Sequence, residues 1–192
     1  MPPVVQDDTL NTPNMLNSPN IVTGFDAVTL RDTVDLAAAG ARLEELGALR
    51  SLSALNEKVT LLRLVGRLDE AWLIASEAVR QARFTGDREQ AAASRIRRAQ
   101  VQQFQGKLDE AIVELTHCVQ ECEAHEWNAV AAFARENRGK AYFDQGNLDA
   151  ALVDLTAAVF LREHDGAGED VLEGALAAVV SVETHISERD RL

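Results

Sequence analysis

The motif Gly-x-Leu-Asp-x-Ala occurs three times in the chain, as GRLDEA at residues 66–71, GKLDEA at residues 106–111 and GNLDAA at residues 146–151. Successive copies are 40 residues apart. A fixed period of this length is typical of stacked supersecondary units, each of which buries its apolar face against its neighbours. The sequence therefore predicts a repeat array. Because such arrays present extended surfaces, we expect binding rather than catalysis.

The residue types of the motif suit a unit of two antiparallel helices. Glycine lets the backbone turn out of the first helix, and leucine anchors the turn in the core. Aspartate can cap the second helix and complement its dipole, while alanine lets the neighbouring helix approach closely. We therefore predict structural roles, and not binding roles, for Gly66, Ala71, Gly106, Ala111, Gly146 and Ala151.

Composition and charge narrow the possible partners. Hydrophobic residues make up 46% of the chain but aromatic residues only 5%, which favours helices packed through small side chains. The net charge of -12 should repel nucleic acid and anionic membranes, so we expect neither as a partner. The sequence shows no secretory signal, membrane span or disulfide framework, and a cytoplasmic location is the simplest expectation.

The N-terminal region is predicted to differ from the repeats. All four prolines lie within the first 19 residues, and we predict that residues 1–24 form a disordered or loosely ordered tail. Residues 25–50 are predicted to form an N-terminal half-unit or capping helices. In this interpretation Asp26 caps a helix that runs towards Ala39, and Gly40 ends that helix.

Residues 51–166 are predicted to form three helix hairpins, and residues 167–192 a C-terminal capping helix. No proline follows residue 19, so long helices are permitted throughout. The first helices of the three units are predicted at residues 51–65, 88–105 and 128–145, and the second helices at residues 67–84, 107–126 and 147–166.

The third unit has small and large residues in a recognisable order: Gly139, Ala141, Tyr142, Gly146, Leu148, Ala151, Leu155 and Ala158. This order resembles the tetratricopeptide repeat family, and the resemblance extends over residues 51–166. The period of 40 is longer than the family norm of about 34, and a proline that often ends the second helix is missing. The resemblance implies an all-α fold, namely a right-handed superhelical array of antiparallel helix hairpins closed by a C-terminal capping helix. Members of the family usually act as peptide-binding scaffolds.

In the resembled family the first helices line the concave face. Here the first helices carry nine basic and four acidic residues, and the second helices five basic and thirteen acidic residues. We therefore predict a groove for a polar or acidic extended segment of a protein or peptide partner. The alternative is that these charges only solvate helix faces and pair between units. The residues predicted to bind in the groove are Asn56, Arg63, Arg95, Gln100, Gln103, Glu136 and Lys140.

One cluster of residues in the sequence could indicate a metal site. Cys118, Cys122 and His125 could share one helical face, as zinc ligands do. However, Cys118 occupies the position of Ala78 and Ala158 in the other units, and this favours core packing. The chain has no nucleophile motif and no phosphate-binding loop. We expect no metal, no cofactor and no enzymatic activity.

Self-association is the alternative function. The partner could be another copy of the chain, bound through the groove or through the N-terminal helices. The apolar residues that could form such a contact are Leu36, Leu43, Leu46 and Leu49. The N-terminal tail could equally occupy the groove of its own chain.

Overall fold

The fold is an all-α helical array preceded by a short β-hairpin. A computed structural model describes residues 21–85 and 87–191. The two antiparallel strands are β1 (Val22–Asp26) and β2 (Arg31–Val34). The helices are α1 (Leu36–Leu46), α2 (Leu52–Leu64), α3 (Leu68–Thr85), α4 (Arg88–Phe104), α5 (Leu108–Ala124), α6 (Asn128–Asp144), α7 (Leu148–His164) and α8 (Glu169–Arg189).

Each helix packs against the next one along the chain, which gives the predicted sequence of antiparallel pairs. The pairs are α2 with α3, α4 with α5, and α6 with α7. The first helices also contact one another, because α4 packs against both α2 and α6. The last helix, α8, packs against α7 and closes the array, as expected for the C-terminal segment. The predicted all-α repeat array is confirmed.

The glycines and alanines of the repeated motif have the structural roles predicted for them, whereas its aspartates lie in the first turn of the second helices and are not the N-caps of α5 and α7. Its glycines follow the first helix of each pair and have left-handed backbone conformations, with φ of 77°, 76° and 83°. A residue with a side chain would be strained in this conformation. Its alanines are completely buried where the two helices of a pair meet. The glycines are Gly66, Gly106 and Gly146, and the alanines are Ala71, Ala111 and Ala151.

Another glycine allows the third pair to pack closely. A Cβ atom added to Gly139 of α6 would lie 2.9 Å from Cγ of Leu155 and 3.2 Å from the carbonyl oxygen of Ala151. Because one of those atoms belongs to the backbone of α7, the contact cannot be relieved by a side-chain rotation alone. The tight contact between α6 and α7 therefore requires glycine at this position.

Arginines of the first helices bind acids of the second helices at equivalent places in two units. In the second unit Glu114 accepts hydrogen bonds from Arg95 and Arg98, at 2.9 and 2.7 Å. In the third unit Asp154 accepts from Arg135 and Arg138, the residues 40 positions further on, at 2.9 and 2.6 Å. Many of the basic side chains on the first helices therefore form ion pairs with the second helices. The prediction of a basic concave layer was wrong for these side chains.

The N-terminal region was predicted incorrectly. Residues 22–26 and 31–34 form a β-hairpin instead of a helix capped by Asp26, and part of the predicted tail lies in β1. The Asp26 carboxylate instead accepts hydrogen bonds from the Val28 amide and the Thr29 hydroxyl, at 2.9 and 2.7 Å, which closes the β-turn. Residues 1–20 of the predicted tail lie outside the described residues.

Asp35 joins the β-hairpin to the first helix. Its amide donates to the carbonyl oxygen of Ile21 at 2.8 Å. Its carboxylate accepts from the amides of Ala37 and Ala38 at 2.9 and 3.0 Å, so the N-cap of α1 is Asp35 and not Asp26. Helix α1 ends at Leu46 with Gly47 as its C-cap, and the predicted stop, Gly40, lies inside the helix.

Candidate functional site

The β-hairpin lies across the first helices of the array. At its start, Ile21 is buried with Leu46 of α1 and Leu61 of α2. At the end of its turn, Leu30 is buried with Leu155 of α7 and Val182 of α8. The β-hairpin, residues 21–35, therefore reaches from the beginning of the array to its end.

A small cavity of about 30 Å³ remains between the β-hairpin and the first helices. The β-hairpin contributes Leu30, Arg31 and Asp32 to its lining. We call the facing surface of α2, α4 and α6 the groove, and it consists of Arg63, Gln100, Gln103, Phe104, Phe133, Glu136, Asn137 and Lys140.

Most of the residues predicted from the sequence meet in this groove. They come from three different helices: Arg63 from α2, Gln100 and Gln103 from α4, and Glu136 and Lys140 from α6. The resemblance to tetratricopeptide repeats therefore selected positions that the fold brings together.

The other two predicted residues lie elsewhere. Asn56 is on α2 but does not line the cavity, and its Oδ1 accepts a hydrogen bond from Ser94 Oγ of α4 at 3.2 Å. Arg95 was predicted wrongly, because its guanidinium donates to Glu114 and Glu121 of α5, at 2.9 and 2.8 Å. It joins the two helix layers and does not line the groove.

Arg31 attaches the β-hairpin to the groove. Its Nη2 donates to Oδ2 of Asp144 at 2.7 Å, and Nε2 of Gln103 donates to the same oxygen at 2.8 Å. The Arg31 guanidinium also lies over the ring of Phe104, 4.0 Å from the ring centroid. A charge-assisted hydrogen bond and a cation–π contact thus fix the Arg31 side chain against the groove.

Arg63 is a buried cation at the bottom of the groove. Its residue exposure is 7%, and its guanidinium lies 4.5 Å from the centroid of Phe104. Burial lowers the pKa of Arg63 to about 10, with a smaller lowering by Arg31 and an opposing effect from the carboxylate of Asp32. Among the described residues, Nε of Arg63 has no hydrogen-bond partner.

Glu136 is a largely buried anion, with its side chain 12% exposed, and it lines the same groove as Arg63. It accepts hydrogen bonds from Lys140, at 2.6 Å, and from Arg162 of α7. Burial alone would raise the pKa of Glu136, but the two cations outweigh burial and lower the pKa to about 2. This carboxylate is therefore ionised at neutral pH and holds α6 to α7.

Buried amides form the rest of the groove. Nε2 of Gln100 donates to Oδ1 of Asn137 at 2.6 Å, and Nδ2 of Asn137 donates to the carbonyl oxygen of Phe133 at 2.7 Å. These bonds fix the orientation of two amide side chains on adjacent first helices. The groove combines fixed polar groups with the ring faces of Phe104 and Phe133.

Several residues of this site were missed from the sequence. Phe104, Asn137 and Asp144 carry no motif, so only their neighbours in the fold give them a role. The β-hairpin did leave a signal, because seven of the residues from 21 to 35 are β-branched, a composition that favours strands. Asp26 was instead interpreted as a helix cap, and this hid the strand pattern.

The cysteines pack in the core of the second unit. Cys118 and Cys122 are fully buried, and burial raises the pKa of each thiol to about 12. Within residues 21–85 and 87–191 no group of three histidine, cysteine or acidic side chains is placed to hold a metal. In the same part of the chain no helix is long and apolar enough to cross a bilayer.

Comparison with known proteins supports the fold only. No protein-family model matches the chain, and no curated protein matches it significantly. The structure is similar to the crystal structure of BtubC (BKLC) from P. vanneervenii, with a TM-score of 0.52 and 16% sequence identity. The matched region covers 81% of this chain and 70% of that chain. At this level of identity the likeness concerns the helical array and not the function.

Proposed function

We propose that the chain is a non-catalytic scaffold of the tetratricopeptide-like type, which binds an extended polar or acidic segment of a protein partner in the groove. The observation that carries this proposal is the position of the β-hairpin. A two-stranded, acidic segment lies on the surface formed by α2, α4 and α6, where the resemblance implies a peptide. The groove is therefore suited to an extended chain.

The chemistry of the groove supports the same class of partner. Phe104 offers a ring face to a guanidinium or an apolar side chain. The carboxylate of Asp144, which accepts a hydrogen bond from Gln103 at 2.8 Å, holds the Arg31 cation at 2.7 Å. Arg63 and Lys140 offer donors to carboxylates and carbonyl oxygens. This set of groups recognises side chains and backbone together and provides no nucleophile for a reaction. We expect neither nucleic acid nor membrane as the partner, and a cytoplasmic location.

Selection from a displayed library of random peptides, with the full chain as bait, tests this function. We expect the enriched peptides to be polar or acidic, and their binding to weaken as salt is added. The variants Gln103→Ala and Lys140→Gln should reduce binding. Val113→Ser, on an exposed part of α5, is the control and should leave it unchanged. If only Val113→Ser weakened peptide binding, the binding surface would lie on the second helices, and this would contradict the proposal.

Self-association is the second candidate function. Leu36 and Leu49 are 61% and 56% exposed near the beginning of the array, as a docking surface requires. Leu43 and Leu46, however, pack with Ile21 inside the chain. The apolar surface available to another copy is therefore smaller than the sequence predicted. A molar mass of two chains by light scattering, reduced to one chain by Leu36→Ser with Leu49→Ser, would favour assembly over peptide binding.

A further inference from the structure

We propose that residues 21–35 are a built-in ligand of the groove. We further propose that the partner segment which replaces them carries the same two features in the same order, an aliphatic side chain followed two residues later by a carboxylate. This inference rests on the proposed function of the groove. It specifies the chemical pattern of the partner, and it identifies residues 21–35 as the competitor that the partner must displace.

The pattern is taken from the residues of the β-hairpin that face the array. Leu30 is only 2% exposed and fills an apolar pocket between α7 and α8. Two residues later, Asp32 lines the cavity beside Arg63 and interacts with it electrostatically. An apolar anchor at the end of the turn and a carboxylate in the strand that follows it are therefore the features that the groove accepts.

Charge complementarity supports an acidic occupant. The segment 21–35 contains three aspartates and one arginine. One of these, Asp32, lines the same cavity as Arg63, a buried cation of α2 whose pKa burial lowers to about 10 and the charge of Asp32 raises again. A carboxylate placed beside such a group is stabilised by it and stabilises it in return.

The built-in segment does not fit the groove completely. Leu30 has φ of 54°, a left-handed conformation that is strained for a leucine. In the described chain, the buried Nε of Arg63 has no hydrogen-bond partner, and a cavity of about 30 Å³ is left beside it. An external segment whose carboxylate accepts a hydrogen bond from Arg63 Nε, without this strain, would bind more favourably than the β-hairpin does.

The β-hairpin is also an element that can leave the array. A two-stranded hairpin alone is marginally stable in water, so residues 21–35 keep their form through their contacts with the groove. The outer side of the turn makes little contact, since Val28 is 70% exposed. The helices pack against one another without the β-hairpin, because every helix contacts its neighbour in the sequence.

The first test uses the full chain and a fluorescent peptide of residues 21–35, with binding measured by anisotropy. Leu30→Asp places a charge in the apolar pocket and should release the internal segment. Val28→Asp makes the same change at an exposed position of the turn and is the matched control. Because an internal ligand lowers the population of the open groove, we expect Leu30→Asp to bind the peptide about tenfold more tightly than the unaltered chain. Val28→Asp should bind as the unaltered chain does.

A second release variant protects the test against a folding defect. Arg31→Glu brings a negative charge to Asp144, which now binds Arg31 at 2.7 Å, and leaves the apolar pocket intact. It should also bind the peptide about tenfold more tightly. Far-ultraviolet circular dichroism should show that both variants keep their helices. Loss of the helices in both variants would show that the β-hairpin is an integral part of the fold, and would overturn the proposal.

The second test examines the pattern itself, with the Leu30→Asp chain as receptor. A peptide with Asp32→Asn and a peptide with Leu30→Ser should each bind about tenfold more weakly than the parent peptide. Asp35→Asn removes the same charge three residues away and should leave binding nearly unchanged. Equal weakening by Asp32→Asn and Asp35→Asn would mean that binding depends only on the net charge of the peptide, and would overturn the proposed pattern.

The two proposals fail in different ways. Binding of the 21–35 peptide without any binding of library peptides would support the built-in ligand and contradict the scaffold function. Library peptides that bind in the groove but lack an aliphatic residue two positions before a carboxylate would support the scaffold and overturn the pattern.

Discussion

Asp154 is the buried acid that joins the two helices of the third pair, and its replacement by asparagine should destabilise the array strongly. Its side chain is 2% exposed and accepts three hydrogen bonds, at 2.9, 2.6 and 2.8 Å, from Arg135 and Arg138. Asparagine keeps the shape but takes away the carboxylate that Arg138 binds, while Arg135 keeps its hydrogen bond to Glu123 at 2.6 Å. Removing one partner of a buried ion pair costs about 3–5 kcal/mol. Because the arginines remain 21% and 14% exposed, we expect the lower end, about 3 kcal/mol.

The assay is thermal and urea unfolding followed by far-ultraviolet circular dichroism. A loss of about 3 kcal/mol should lower the Tm by about 6–12 °C in a chain of this size. Asp149→Asn is the matched control, since that side chain is 76% exposed and the same change should cost less than about 0.5 kcal/mol. Glu114→Gln, at the equivalent pair of the second unit, should give an intermediate loss because its side chain is 19% exposed. Equal losses for Asp154→Asn and Asp149→Asn would refute the role assigned to the buried pairs.

Further predictions concern pH, backbone strain and thiol reactivity. Glu136 has a pKa of about 2 in the folded chain against 4.5 when unperturbed, so its stabilising contribution is complete above pH 4.5 and lost as the pH falls towards 2. The Tm of Glu136→Gln should therefore fall less over this range than that of the unaltered chain. Glu126 has φ of 58°, and Glu126→Gly should raise the free energy of unfolding by about 1 kcal/mol, measured in urea. Cys118 and Cys122, with pKa values near 12, should react with iodoacetamide only when the chain unfolds.

Each of these expectations has an outcome that contradicts it. An unchanged pH profile in Glu136→Gln would mean that this carboxylate is not held ionised by its two cations. A lower urea midpoint for Glu126→Gly would mean that backbone strain at this turn is smaller than the entropy that glycine adds to the unfolded chain. Rapid alkylation of either cysteine in the native chain would contradict its burial.

The repeated motif shows what the sequence could predict. A glycine that ends a helix and an alanine that packs against its neighbour act within one unit, so their roles follow from local geometry. Three copies at the same spacing then fix the order of helices from α2 to α7. The resemblance, and not local geometry, led to Arg63, Gln100 and Lys140, and these residues line the cavity under the β-hairpin.

The errors arose where a partner lies far away in the sequence. Arg95 could face the groove or the second helix, and only the position of Glu114, on the next helix, decides between these directions. Asp26 is as suitable for a β-turn as for a helix cap. The choice depends on the pocket that receives Leu30, and the residues of this pocket, such as Leu155, lie more than 100 positions later in the sequence. Tertiary contacts overrode the local preferences in both cases.

The β-hairpin in the groove is the central claim, and amide hydrogen exchange of residues 21–35 in the full chain tests it most directly. A two-stranded hairpin is marginally stable in water, so protection of these amides requires docking against the array. We expect the amides of β1 and β2 to be protected, and Leu30→Asp to abolish that protection while the amides of α4 to α7 keep theirs. Exchange of β1 and β2 at the rate of an unstructured peptide in the unaltered chain would contradict the occupied groove.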